Sequence, residues 1–367
     1  MVNGTTGAPE ASQFGEAPAA ITVIGVGGGG CNAVMRMMHE KVVPGVNYIC
    51  VNTDIKSLAK VQGAKVIQLG ETITRGMGAG GDPTVGAQAA EAAHNELRNS
   101  LSHKDLVFIT AGMGGGTGTG AAPIVAEIAK RTGALVVGVV TTPFAWEGHH
   151  RLEAAIAGVG RLKDKVDNLI VIHNDRLLKL LNANVSMEEA LKRADEAVMY
   201  GVLSVAELIN VPGEINVDMA DVRAILKLPG RALMAIGEAK GPNAALECAK
   251  AAVNNSLLDV SIDGAKGVLF CINGGPGLSL GAVNEAGEFL SSKISRDAVI
   301  FFGMVNDETM EDRVRMTVIA TGIPEAATVA KANNLFGNHS AAAANKDAES
   351  GIMHTSGGMI GGMRRGS

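Results

Sequence analysis

The sequence predicts an α/β protein: a doubly wound parallel sheet, then a long central helix, then a smaller α+β domain. Three observations carry this. Short β-branched runs alternate with helical patterns through the first half of the chain. Glycine clusters fall where strands hand over to helices, the place where such sheets bind ligands. One uninterrupted amphipathic stripe, about twenty residues and hence about 30 Å long, separates the two halves.

Residues 1–18 are rich in Gly, Ala, Pro, Ser and Glu without periodicity and are expected to form a disordered arm. A first domain is expected over 19–186. It opens with Ile21-Thr-Val-Ile-Gly-Val26, a β-branched run of the kind buried on both faces. Behind the glycines that follow, Val34, Met37 and Met38 repeat at helical spacing. Further strands are expected at 46–51, 65–69, 106–110, 134–140 and 168–172, with helical patterns between most of them, such as Leu152, Ala155, Ile156, Val159 and Leu162. The long stripe, over 187–211, is Leu191, Ala194, Val198, Val202, Val205 and Leu208. Ser186 with Glu189 three residues on is a capping-box start, and Val211-Pro212-Gly213 stops the helix. The smaller domain, 212–322, is expected to hold strands near 231–236, 267–272, 298–305 and 313–320. Its helices are expected from about Asn243 and between Ala282 and Ile294. Residues 323–367 show no core pattern and are expected to be a disordered tail.

A chain of 367 residues is too long for one ordinary core. Its 47% hydrophobic and 19% charged residues are those of a soluble globular protein. A net charge of -5 and only eight Phe, two Tyr and one Trp leave neither an electrostatic footprint for a polyanion nor base-stacking platforms, so nucleic acid is excluded as a partner. The four cysteines have no metal-site spacing and fit a reducing compartment. No signal-like h-region and no run long enough to span a membrane is present, so a cytoplasmic protein without direct membrane insertion is expected.

Three clusters carry the chemistry. Gly25-Val-Gly-Gly-Gly-Gly30 follows the first strand and fits a phosphate at a helix N-terminus, the dinucleotide fingerprint, or a plain turn. Gly112-Met-Gly-Gly-Gly-Thr-Gly-Thr-Gly120 holds six glycines in nine residues before the helix of Pro123, more than a turn requires. Its free N–H groups and the hydroxyls of Thr117 and Thr119 read as a nest for a polyphosphate, held without the lysine of a Walker loop. Gly76-Met-Gly-Ala-Gly-Gly-Asp-Pro83 is a third such loop or a simple N-cap loop, with Asp82 and Pro83 opening a helix.

The second cluster resembles the signature loop of the tubulin/FtsZ GTPase family. The supporting segments stand in that family's order over about residues 20–322: Val23–Gly30 with Asn32, Val51-Asn-Thr-Asp54, Thr142-Pro-Phe-Ala-Trp-Glu-Gly148 with Arg151, Asn174-Asp-Arg-Leu-Leu178, and Asn216-Val-Asp-Met-Ala-Asp221. The resemblance implies a GTPase with GTP/GDP as ligand. Gly28, Gly29, Gly30, Cys31 and Asn32 would lie on the α/β-phosphate side, and Gly116, Thr117 and Gly118 would cradle the β/γ side, with Gly114, Gly115 and Thr119 of the same loop also at the nucleotide. Ala79, Gly80 and Gly81 would approach the γ-phosphate, with Asn52 and Asp54 near it and its hydrated Mg²⁺. Glu147 and Arg151 would hold ribose and phosphates, and Asn174 and Asp195 would read the guanine edge. A carboxylate suits guanine because it accepts from both the ring N–H and the amino group; as a plain surface residue, Asp195 would instead sit solvated on its helix.

Asn216, Asp218 and Asp221 are the implied catalytic residues, inserted into a neighbouring subunit's pocket, although Asp218 and Asp221 equally fit helix capping. The resemblance further implies a head-to-tail homopolymer at the mid-cell division site, with membrane tethers and division regulators as further partners. The sequence departs from the pattern at Cys31, His173, Leu191 and Met219, and its end lacks the family's acidic-hydrophobic docking peptide. Two alternatives remain at this point. An NAD-dependent oxidoreductase with Asp54 on the ribose leaves the second cluster unexplained. A paralogue that binds GTP without turnover does not explain Asp218 and Asp221.

Overall fold

The structure is a computed structural model that describes residues 19–180, 185–211, 215, 217–254, 262 and 264–324, with backbone only at 178–180. The expected arm 1–18 and residues 325–367 of the expected tail lie outside it. The first sheet holds six parallel strands: β1 (Ile21–Val26), β2 (Val46–Asn52), β3 (Lys65–Gln68), β4 (Leu106–Gly112), β5 (Leu135–Thr142) and β6 (Asn168–His173). Around it run α1 (Gly27–Glu40), α2 (Ile55–Leu58), α3 (Glu71–Thr74), α4 (Pro83–Ala92), α5 (His94–Leu101), α6 (Gly116–Arg131), α7 (His149–Lys163) and α8 (Asn174–Leu180). The strand order β3-β2-β1-β4-β5-β6 reverses direction between β1 and β4. Val26 lies opposite Ala111, so the two strands end side by side and leave a crevice at their carboxyl ends.

The long helix α9 (Met187–Asn210) begins as expected, the Ser186 hydroxyl accepting from Glu189 N at 3.1 Å. Its 24 residues make a rod of about 36 Å. Beyond it lie α10 (Met219–Leu226), β7 (Arg231–Lys240), α11 (Ala244–Val253), β8 (Gly267–Gly274), α12 (Leu280–Ser291), β9 (Val299–Asn306) and β10 (Arg313–Ile323). The strands form a mixed sheet in the order β7-β10-β8-β9.

Alternation along the strands divides the core. Ile24, Val26, Ile109 and Val140 pack against α4–α7. Val23, Phe108 and Val137 pack on the other side against α9, whose Ala194, Val198, Val202, Val205 and Leu208 also meet Leu269, Cys271 and Ile319 of the second sheet. The opposite face of the second sheet packs on α11 and α12. Each of these large apolar side chains, fully buried, contributes about 1.5–3 kcal/mol. One polar knot crosses the apolar seam. The buried Glu207 accepts from Lys41 Nζ at 2.9 Å and from Asn273 Nδ2 at 3.0 Å, and Lys41 also lies 3.5 Å from Asp307. Asn210 Nδ2 donates to the carbonyls of Ala19 and Pro44, fixing the end of α9.

Three expectations need correction. Gly27–Gly30 and Gly116–Gly120 are not loops ahead of helices but the first turns of α1 and α6, with Pro123 inside α6. Tertiary packing overrides glycine's poor helix propensity there: a Cβ at Gly30 would run into the Thr110 carbonyl oxygen, and one at Gly120 into that of Pro83. The third cluster follows α3 rather than a strand. Finally, β10 runs through the fully buried Ile323, so order extends past the boundary expected at 322.

Candidate functional site

At the crevice the first turns of α1 and α6 enclose a cavity of about 320 Å³. It is lined by Gly28, Gly29 and Asn32, by Gly115, Gly116, Thr117 and Gly118, by Glu147, Arg151 and Asn174, and by Leu191 and Asp195 of α9. Neither α1 nor α6 has a side-chain cap on its first turn. The N-termini of α2, α4, α9, α10 and α12 are capped by Asp54, Asp82, Ser186, Asp218 and Ser279, while α3, α5, α7 and α11 share the uncapped start without opening between the two glycine clusters. The two helices that open on the cavity therefore keep free N–H donors and positive dipole ends directed into it, which is what an anionic polyphosphate requires.

The glycines divide by purpose. A Cβ at Gly28 or Gly115 would meet nothing within 4 Å, so the folded chain itself has no packing need for glycine at either place. Such open cradles, beside uncapped helix ends, fit a ligand that passes against the backbone. At Gly118 a Cβ would sit 2.5 Å from the Gly112 carbonyl oxygen, so that glycine serves the close meeting of strand and helix.

The other end of the cavity suits a flat polar base. Leu191, half exposed, gives it an apolar side. Asn174 is buried and its Oδ1 has no hydrogen-bond partner among the described residues, an acceptor left for a ligand. Asp195 is not the solvated surface residue its helix position allows: burial pushes its carboxyl up to about 6, opposed by the Arg36 guanidinium, whose Nε lies 3.7 Å from Oδ2. Glu147 and Arg151 meet in an ion pair at 2.5 Å, and Glu147 Oε1 accepts from Phe144 N at 3.0 Å.

Comparisons with known proteins agree over the whole described core. Residues 20–182 match the family described as Tubulin/FtsZ family, GTPase domain, and residues 230–324 match the FtsZ family, C-terminal domain. The structure superposes with a TM-score of 0.80 on an FtsZ dimer, empty, from M. jannaschii, at 42% identity, covering 83% of this chain and 89% of that one. This chain belongs to the tubulin/FtsZ family. As a member it is a GTPase that binds GTP and GDP, of the cytoskeletal kind. CetZ2 from Haloferax volcanii, in a structure titled as a GTPgS bound protofilament, shares the fold at 24% identity and a TM-score of 0.71, with 83% of this chain and 93% of that chain covered.

Within this family fold, several residues expected at the nucleotide do not line the cavity. Gly30 packs on β4, and the Cys31 thiol turns into the core, donating to the Gly25 and Val51 carbonyls at 3.6 Å each. The neighbouring Cys50 thiol and burial both hold the Cys31 thiol protonated, and this buried side chain does not line the cavity. Gly114 N donates to the fully buried Thr119 hydroxyl at 2.8 Å, so both brace the turn from behind. The Thr117 hydroxyl is 2.7 Å from that of Thr53, tying the second cluster to the Asn52–Asp54 loop. Asn52 is buried, its Oδ1 accepting from Thr53 N, while Asp54 caps α2 through Lys56 N and Ser57 Oγ. Of the third cluster, a Cβ on Gly116 would lie 2.8 Å from Ala79 Cβ, which places Ala79 directly behind the cavity wall; Gly80 and Gly81 are exposed beside it.

Asp218 is exposed and accepts from Asp221 N at 2.8 Å, capping α10, and neither acid lines the cavity. Asn216 lies outside the described residues. Sequence reasoning missed Arg36, for which a lone arginine in a helix carries no signal. It also missed Thr53, whose role shows only once β2 and α6 stand side by side. Among the described residues no three His, Cys, Asp or Glu side chains come together to cage a metal, and no helix is long and apolar enough to cross a membrane.

Proposed function

We propose that this GTPase assembles head to tail with copies of itself and hydrolyses GTP at the junction. One observation carries the reading: nucleotide cavity and acids belong to opposite ends of α9. Leu191, Asp195 and Val198 line the cavity, whereas Asp218 and Asp221 follow the far end of the helix, past Asn210. From Val198 to Asn210 alone the helix advances about 18 Å. Arg223 of α10 donates to the Asp105 carbonyl just ahead of β4, at the opposite end of that strand from the cavity, which supports supply of the acids by a second copy.

In that junction Gly28, Gly29, Gly115, Gly116 and Gly118 present backbone to the phosphates, with Asn32, Ala79, Gly80 and Gly81 around them. Asn174 and Asp195 read the guanine edge and the Glu147–Arg151 pair faces the ribose. Asp218 and Asp221, together with Asn216 two residues earlier in the sequence, orient the attacking water of the neighbouring copy; phosphoryl transfer needs positioning more than a strong base. Asp54 has both carboxylate oxygens engaged by Lys56 and Ser57, so the donor set fits a Mg²⁺ held by phosphate oxygens and water rather than by a protein cage. That ion would neutralise charge on the phosphates. The division of the chain we propose is a GTP-binding domain 19–186, a connecting helix 187–211 and a catalytic-loop domain from 212 through the end of β10 at Ile323.

We propose, on the family resemblance, that the filament works in the cytoplasm, in the septal ring at mid-cell, with membrane tethers and division regulators as further partners. The region of the usual docking peptide falls in residues 325–367, outside those described.

Phosphate release from GTP, followed against protein concentration, tests the reading. The specific rate is expected to rise above a threshold concentration and to vanish in Asp218→Asn. A mixture of Asp218→Asn with Gly115→Val, one keeping the cavity and the other the acids, is expected to regain turnover. A rate per molecule independent of concentration would overturn hydrolysis across a junction.

A further inference from the structure

We propose that Arg36 is a positioning residue for guanine selection, lying behind Asp195 and holding its carboxylate charged and turned toward the base. The inference rests on the base reading assigned above to Asp195. Arg36 stands in α1 eight residues after Gly28, about 12 Å along the helix, so one helix would serve the phosphates with its first turn and the base with its third. Its side chain is not part of the cavity lining and so does not touch the ligand. Its Nε is buried without a hydrogen-bond partner among the described residues, and the 3.7 Å to Asp195 Oδ2 is too long for a hydrogen bond. A guanidinium nitrogen sealed from water and directed at one carboxylate acts there by charge.

The charges around Asp195 fit this division of labour. Among the described residues, the charged group that α1 turns toward it is Arg36. On its own helix Glu196 disfavours its charge, but Glu196 is itself held by Arg193 at 3.0 Å. Across the cavity Glu147 and Arg151 are closed on each other. Burial favours the neutral acid, and Arg36 opposes it. A protonated Asp195 could not accept from both the ring N–H and the amino group of guanine, so the preference for guanine over a base without that amino group depends on the charge Arg36 maintains.

The test compares equilibrium affinities for GDP and inosine diphosphate between pH 5.5 and 8 in the full chain, for the parent protein, Arg36→Met, Arg36→Lys and Asp195→Asn. The two nucleotides differ by the amino group alone, so their affinity ratio cancels the titration of the phosphates. In the parent the ratio is expected to fall as pH drops through about 6, the value of the Asp195 carboxyl. In Arg36→Met the midpoint is expected to move up by about one pH unit, cutting the ratio several-fold at pH 6.5, while Arg36→Lys keeps the parent profile. Arg36→Gln, neutral and nearer in shape, carries the same expectation should the Met variant fail to fold.

Equal weakening of both nucleotides at every pH in Arg36→Met would overturn the inference, since loss of packing alone does that. An undiminished ratio in Asp195→Asn would overturn the base reading itself. A ratio lost in Asp195→Asn but unmoved in Arg36→Met would leave the base reading standing and remove only Arg36 from it.

Discussion

Gly28 and Gly30 stand two residues apart in the first turn of α1, and alanine at each is expected to do opposite things. At Gly28 the new Cβ meets no atom within 4 Å and the backbone is ordinary helix, so Gly28→Ala stabilises the nucleotide-free protein by about 0.5–1 kcal/mol through the unfolded chain. At Gly30 the Cβ would lie 3.0 Å from Gly25 C, 3.1 Å from Thr110 C and closer still to the Thr110 oxygen, so strand and helix must part. Overpacking of that kind costs about 1–3 kcal/mol and lowers the melting temperature by several degrees. Nucleotide reverses the order. The Gly28 Cβ occupies the phosphate cradle, and we expect at least a tenfold loss of GDP affinity there. Scanning calorimetry with and without GDP at about a hundred times the parent Kd reads both effects. The parent gains about 2.7 kcal/mol from the ligand, and a tenfold weaker variant only about 1.4 kcal/mol. If Gly28→Ala keeps the full ligand-induced gain, or melts early without ligand as Gly30→Ala does, the division of glycines by purpose is wrong.

Three further outcomes are expected. The Asp195 carboxyl is raised from 3.8 to about 6, so the native state binds protons that the unfolded chain has released. Stability of the ligand-free protein therefore falls as pH rises from about 4 to 6, and Asp195→Asn should raise its melting temperature above pH 6 and lose that advantage below pH 4. Lys41→Met removes the cation from the buried Glu207 and should cost about 3 kcal/mol in denaturant unfolding, much of it recovered in Lys41→Met with Glu207→Gln; no recovery would mean that Lys41 acts by packing. Asp218→Asn keeps a side-chain acceptor for Asp221 N and should melt like the parent while losing GTP turnover, whereas Asp218→Ala should lose turnover and also about 1 kcal/mol of helix capping.

The strands of the first sheet were legible because buried parallel strands are written as unbroken apolar runs, as in Ile21–Val26 and Leu135–Thr142, and those of the second, mixed sheet because Gly267–Gly274 and much of Arg313–Ile323 are equally buried. The α9 stripe was legible for a similar reason, since one helix buried between two sheets needs apolar residues along most of its length. The glycine clusters showed where the site is, but not what each glycine does there. Gly28 and Gly30 look identical in a sequence, and only the distance to Thr110 separates them. Charged side chains were the least legible. Arg36, Lys41 and Glu207 sit in ordinary helical or loop contexts, and their meaning comes from partners that stand 159, 166 and 66 positions away.

Because α9 touches the cavity at one end and is tied to Lys41, Asn273 and the Ala19 and Pro44 carbonyls at the other, its length is a fixed measure. Inserting a single residue between Val198 and Glu207 would move the distal end by about 1.5 Å and turn it by about 100°. Leu208 would rotate off the second sheet and Glu207 would swing away from Lys41. Loops elsewhere on the molecule can gain or lose residues and be absorbed locally. This helix has no such freedom: an added or deleted residue would be felt at the nucleotide and in the core together.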